Sequence, residues 1–152
     1  MNVAGTTNKY VYGGQGSNLS VVLYNRALND DQYAQVELTS LTADGYFGPA
    51  VRLSGTGVTL DGYFVYVNNT AVRLYRLDNG VRTQLGSNGA LSVNDVVKIE
   101  AVGSNISVYV NDILEPTIGT QVDAAYSSGV SGLAAFSSNS AATGDNFEAG
   151  NK

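Results

Sequence analysis

Six residues carry side chains suited to a flat, hydroxylated ligand: Phe64, Tyr66 and Tyr75 for ring stacking, Arg52, Arg73 and Gln84 for hydrogen bonding. Aromatic rings pack against apolar C–H surface, while guanidinium and amide groups present forked donors and acceptors. Sugars offer both kinds of surface, so these six residues are the candidate glycan-binding set. The same residue types also form ordinary cross-strand pairs on exposed sheets. A third option is that a neighbouring subunit covers the face that carries them.

Carboxylates form the second candidate set. Glycoside hydrolysis needs two of them about 5–9 Å apart, flanking the scissile bond. Alternate positions of one strand would supply such a pair, because residues two apart share a face. The 13 acidic residues contain no E-x-D-x-E or E-x-D-x-x-E cluster. Glu37 and Glu100 stand singly, and Asp145 and Glu148, three apart, are expected on opposite faces. With no His and no Cys, the chain has no imidazole base, Ser-His-Asp triad, thiolate nucleophile, disulfide or common zinc site. A lyase with a Tyr base and an Arg would lack its usual His partner. No catalytic residue is assigned.

No cofactor is expected either. Calcium takes about six to eight oxygen ligands, and the candidates are Asp30-Asp31 and Asp145-Asn146. Turn or helix capping accounts for both pairs, and no D-x-D-x-D-G loop occurs, so a structural Ca2+ has no ligand cluster behind it. Gly13-Gly14-Gln15-Gly16 and Gly55–Gly57 are turn glycines that open no helix after a strand. The sequons at Asn18, Asn68 and Asn105 read as turn asparagines.

The elements that must position these residues are strands. Of 152 residues, 18 are Gly and 14% are charged, against about 25% in an average protein. Length and composition fit one domain, 1–152. Two-residue alternation predicts strands at Leu19–Tyr24, Tyr33–Leu41, Phe47–Ser54, Gly62–Val67, Ala71–Leu77, Val81–Gly86, Val96–Val102, Asn105–Asn111, Pro116–Gln121, Val130–Phe136 and Asp145–Ala149. Asn25–Val36 has no helical apolar stripe. A two-residue turn at Gly103-Ser104 pairs Ala101 with Ile106, Ile99 with Val108 and Val97 with Val110, all apolar. Asn79-Gly80 pairs Leu74 with Leu85 and Tyr75 with Gln84. A turn at Asn68–Thr70 then puts Tyr63, Val65 and Val67 on one face with Val72 and Leu74. The other face of this meander carries Phe64, Tyr66, Arg73, Tyr75, Arg82 and Gln84. In the preceding strand Val51 and Leu53 are expected inside and Arg52 outside.

Those segments resemble a known family. Gly48-Pro-Ala-Val-Arg-Leu-Ser54, Gly62-Tyr-Phe-Val-Tyr-Val67, Leu74-Tyr-Arg-Leu-Asp-Asn-Gly80 and Thr83-Gln-Leu-Gly86 follow the order of concanavalin A-like lectin/glucanase domains of the LamG-like kind. Asp95-Val-Val-Lys-Ile-Glu-Ala101, Ile106-Ser-Val-Tyr-Val-Asn111 and Asp145-Asn-Phe-Glu148 continue it. The resemblance covers about Tyr33 to Gly150. It implies an all-β, two-sheet antiparallel jelly-roll sandwich, a fold that commonly binds glycans. Met1–Gly16 departs from the family's opening strand.

Eight Lys and Arg stand singly in a chain of net charge −5, so neither nucleic acid nor a membrane surface is an expected partner. No apolar run approaches the ~20 residues of a membrane-spanning helix. No basic segment followed by an apolar one marks a signal peptide. A virion surface is one expected location; an extracellular one is the other, within a longer exported chain. The leading expectation is a non-catalytic, lectin-like module that binds a glycan or cell-surface polysaccharide on a sheet face. The alternative is a structural virion protein, a phage capsid decoration or fibre-tip protein, contacting other virion subunits or its own copies. A polysaccharide lyase or glucanase is third and disfavoured.

Overall fold

A computed structural model describes residues 11–12, 16–24, 26–43, 45–56, 59–137 and 142–152. Most of the Met1–Gly16 segment lies outside the described residues, as does part of each glycine-rich turn named above. Among the described residues there are thirteen strands and no α-helix. They are β1 (Val11–Tyr12), β2 (Gly16–Leu23), β3 (Gln32–Ser40), β4 (Gly45–Ser54), β5 (Asp61–Val67), β6 (Val72–Asp78), β7 (Val81–Gly89), β8 (Val96–Val102), β9 (Asn105–Val110), β10 (Ile113–Leu114), β11 (Thr120–Val122), β12 (Val130–Ser137) and β13 (Thr143–Asn151).

Two antiparallel sheets form the jelly-roll sandwich. The seven-stranded sheet runs β1-β13-β3-β8-β9-β10, with β11 also on β9. The six-stranded sheet runs β2-β12-β4-β5-β6-β7. The hairpin registers expected from the sequence are the observed ones. Val97, Ile99 and Ala101 face Val110, Val108 and Ile106, and Leu74 faces Leu85 across the Asn79-Gly80 turn. Asn79 and Gly80 have φ of 49° and 74°, the two positive values that a type I′ turn demands. Ala34, Val36 and Leu38 of β3 join Val97, Ile99 and Val108 in a single core with Phe47, Val51, Tyr63, Val65, Val72 and Leu74 of the other sheet.

The structure departs from the alternation in β4. Val51 faces Tyr63 and Ser54 faces Asp61, so β4 spends one residue more than β5 over this stretch. Such a bulge re-aims the side chains beyond it. Arg52 takes φ 53°, and Leu53 turns outward to a second apolar cluster with Phe64 and Leu77. Arg52, expected outside, is 1% exposed. Its Nε donates to Asp30 O (3.0 Å), and its Nη1 to Gly103 O (2.7 Å) and Tyr126 O (3.1 Å). Asp31 lies 3.6 Å from Nη2 and also accepts the Gly103 N–H. Glycine is required opposite this bulge: a Cβ on Gly129, φ 142°, would sit 2.5 Å from the Arg52 carbonyl carbon.

The same end of the sandwich is closed by a polar plug. Tyr63 Oη donates to Asp123 Oδ1 (2.7 Å), and Arg76 binds Asp123 Oδ2 (2.7 Å) and Asp78 Oδ2 (2.9 Å). Tyr126 Oη donates to Asp78 (2.7 Å), with Asp61 3.1 Å from the same hydroxyl. Asp123 is partly buried, which pushes its carboxyl up. Hydrogen bonds from Tyr63, the Ala125 N–H and Arg76 outweigh that and hold it below the usual range. Tyr126 and then Arg76 do the same for Asp78.

The expected strand at Pro116–Gln121 is broken. The Glu115 carboxylate accepts the N–H groups of Thr117 (2.9 Å) and Ile118 (2.7 Å), and Gly119 follows at φ 64°. This side-chain-to-backbone turn competes with a ladder and leaves only β10 and β11 on the edge.

Candidate functional site

The outer face of the six-stranded sheet brings aromatic residues from three strands together. Phe64 pairs with Tyr75, and Tyr75 with Gln84. Direct cross-strand partners share a face, so β5, β6 and β7 each contribute to one surface. Tyr46 of β4 stacks on Tyr66 with ring centroids 4.1 Å apart and planes 17° from parallel. Tyr66 meets Tyr75 edge-on at 5.3 Å, and Tyr75 stacks on Phe64 at 5.7 Å. These are the offset and edge-to-face arrangements that aromatic quadrupoles favour.

Polar groups edge the rings. The Arg82 guanidinium lies 5.4 Å from the Tyr66 centroid, within cation–π range. Tyr75 Oη donates to Gln84 Oε1 (3.3 Å), while Gln84 Nε2 donates to Asn88 Oδ1 (2.9 Å) and Gly86 O (3.2 Å). Arg73 Nη1 donates to Asn68 Oδ1 (3.4 Å). Burial pushes the Tyr66 hydroxyl up to about 12, with Tyr46 adding to the effect and Arg82 opposing it. This hydroxyl stays protonated, and so a donor, at any physiological pH. Among the described residues no acidic side chain belongs to this group.

Five of the six candidate residues are on this face, in three different states. Phe64 is 0% exposed and forms the floor, with Leu53 and Leu60 around it, so it touches no ligand. Tyr66, 8% exposed, presents only an edge. Tyr75 and Arg73 are half-buried and Gln84 is exposed. Arg52 is absent from this face, because the β4 bulge carries it into the plug. Tyr46 and Asn88 were missed in the sequence, since the expected strands began at Phe47 and ended at Gly86. Extending the alternation one residue upstream of Phe47 would have placed Tyr46 outward. Nothing in the residue types announces the irregular end of β7, where Val72 faces Gly89 and Leu74 faces Leu85.

The carboxylates are distributed differently from expectation. Asp145 faces Glu37 and Glu148 faces Gln35, so one extra residue in β13 puts both acids on the outer face of the seven-stranded sheet. Asn146, at φ 52°, makes the bulge, and Phe147 packs inward on the core. Among the described residues no group of three acidic side chains could hold a metal ion. Asp31 is committed to Gly103 and Arg52. Asn68 Oδ1 accepts the N–H groups of Thr70 and Ala71, a turn-forming role.

No protein-family model matches the sequence, and no curated protein matches it. Solved structures do match. The carbohydrate binding module CBM66 from Bacillus subtilis is 21% identical, with a TM-score of 0.66 over 99% of this chain and 94% of that one. The Caenorhabditis elegans galectin LEC-6 is 15% identical, with a TM-score of 0.56 over 91% and 92%. A xylan β-1,4-xylosidase from Bacillus halodurans is 13% identical, with a TM-score of 0.67 over 94% of this chain but 32% of that chain. At these identities the likeness is one of fold, a two-sheet jelly-roll β-sandwich.

Proposed function

We propose that this chain is a non-catalytic carbohydrate-recognition module whose sugar site is the outer face of the six-stranded sheet. The observation that carries it is the aromatic platform of Tyr46, Tyr66 and Tyr75, edged by Arg82, Gln84 and Asn88. A pyranose stacks its C–H face on the half-buried Tyr75 ring. Its hydroxyls meet the amides of Gln84 and Asn88 and the guanidiniums of Arg82 and Arg73. Among the described residues this set holds no acid pair of the kind hydrolysis needs, which fits binding without cleavage. The likeness in fold to a carbohydrate binding module and a galectin supports the same function.

A glycan array with the wild type and Tyr75→Ala tests this. At least one oligosaccharide should bind, and the substitution should weaken it by ~0.5–2 kcal/mol, the scale of aromatic packing, while circular dichroism stays unchanged. Absence of any bound glycan, or equal binding by both proteins, overturns the proposal.

A further inference from the structure

The opposite face of the sandwich carries a second set of converging polar groups. Two cross-strand rows cross the outer side of the seven-stranded sheet. One runs Glu148, Gln35, Lys98, Tyr109, and the other Tyr33, Glu100, Ser107, Thr120. Tyr33 stands beside Gly150, and a Cβ there would come within 2.8 Å of the tyrosine ring. The missing side chain lets the ring lie down along the sheet. Tyr33, Gln35, Lys98, Glu100 and Lys152 then enclose a depression of about 170 Å3. Drug-sized pockets start at about 300 Å3, so this one fits a single small ring.

Its polar atoms are pre-positioned. Both oxygens of Glu148 are occupied: Oε1 accepts Tyr33 Oη (2.6 Å) and Oε2 accepts Gln35 Nε2 (3.1 Å). Glu100 Oε1 faces two ammonium groups, Lys152 at 2.9 Å and Lys98 at 3.5 Å. Lys98 also binds Asp112 at 2.6 Å and lies 4.9 Å from the Tyr109 ring centroid. Two acceptors that face solvent have no protein donor among the described residues, Gln35 Oε1 and Glu100 Oε2. Each ammonium carries three N–H donors. The side chains of Glu100 and Lys98 are only 10% and 16% exposed, so these charges sit largely out of bulk water.

We propose that this depression is a second carbohydrate site, taking one neutral monosaccharide unit through a pair of adjacent hydroxyls. The hydroxyls donate to Glu100 Oε2 and Gln35 Oε1 and accept from Lys98 and Lys152, while Tyr33 forms the wall. An anionic sugar fits less well. Both ammoniums already face carboxylates, and Glu100, Asp112 and Glu148 outnumber Lys98 and Lys152. The site is independent of the aromatic platform. With both present, one chain holds two sugars on opposite faces and can bridge two polysaccharide strands.

A titration of 15N-labelled protein with D-galactose, D-fructose and D-xylose, each taken well past about 1 mM, tests the proposal. At least one sugar should shift the amides of Tyr33–Gln35 and Lys98–Glu100 saturably. Glu100→Gln should weaken that response about tenfold or more, because it replaces a charged acceptor. Gln35→Ala, at a half-exposed position, should weaken it with the fold intact even if Glu100→Gln does not fold. Tyr75→Ala should leave it unchanged. Shifts confined to β5–β7 retain the aromatic platform as a site and overturn this one, and shifts confined to β3 and β8 do the reverse. No response at β3 and β8 to any of the three sugars, or a response that survives Gln35→Ala undiminished, overturns the second site.

Discussion

The plug at the end of the sandwich and the outer face of the six-stranded sheet are built from the same vocabulary of Tyr, Arg and short polar side chains. They differ in what lies within reach of each polar head. In the plug, Arg52 is spent on three backbone carbonyls, and Arg76 on two aspartates. Tyr63 and Tyr126 each end on an aspartate as well. On the face, the rings of Tyr46, Tyr66 and Tyr75 meet one another, and among the described residues no carboxylate is seen to bind them. Acids within reach turn arginines and tyrosines into a structural clasp. The sheet face is where the proposed sugar site draws on the same residue types. The comparison also explains why Arg52, though of the right type, is no ligand-binding residue.

Substitutions should separate the two regions by what they change. The largest effect belongs to Arg52→Ala. It strands buried carbonyl oxygens of Asp30, Gly103 and Tyr126 and should cost ~3–5 kcal/mol of stability. That is the scale of Ile99→Ala in the apolar core, ~2–5 kcal/mol. Chemical denaturation measures both, and sugar affinity of the folded fraction should not move. An Arg52→Ala variant of normal stability that lost sugar binding would erase the distinction.

Acid sensitivity comes next and should belong to the plug rather than to the aromatic face. Asp78 and Asp123 are held below the usual carboxylate range. A depressed folded-state value contributes stability that is complete above the unfolded value, near 3.9. That stability is lost as pH falls through the folded values. Stability should therefore decline below about pH 4, and Asp123→Asn should flatten part of the decline. At the other extreme, burial and the Asp123 hydrogen bond push Tyr63 up to about 12. Its contribution is complete below the unfolded value near 10 and is lost as pH rises through about 12. Melting temperature against pH for the wild type, Asp123→Asn and Gln84→Ala reads this. Only the plug variant should change the profile.

The smallest effect on folding should come from the face. Gln84 is exposed, so Gln84→Ala should alter stability by no more than about 0.5 kcal/mol. It should weaken glycan binding by ~1 kcal/mol, the net worth of a hydrogen bond. Isothermal calorimetry with an array-selected oligosaccharide gives that number. An unaffected affinity would remove Gln84 from the site.

How far the sequence reveals these regions follows from their physics. The hairpins were legible because alternation and the Asn79-Gly80 turn specify register locally. The outward position of Tyr75 and Gln84 follows from that register. Arg52 was misplaced because a bulge breaks the alternation, and an arginine at φ 53° leaves no mark in residue type. Asp145 and Glu148 were misassigned for the same reason, a bulge at Asn146 in β13. The plug was illegible because Tyr63 meets Asp123 across 60 positions, a pairing only the closed sandwich creates. Phe64 was placed on the right face, but its depth depends on Leu53 and Leu60 packing over it.

The structure of the chain with an array-selected oligosaccharide bound is the most direct test of the sugar-binding face. A sugar ring should lie over Tyr75, against the edge of Tyr66, with hydroxyls on Gln84 and Arg82 and the plug unchanged. Sugar bound only elsewhere, with the aromatic platform bare, would contradict the account.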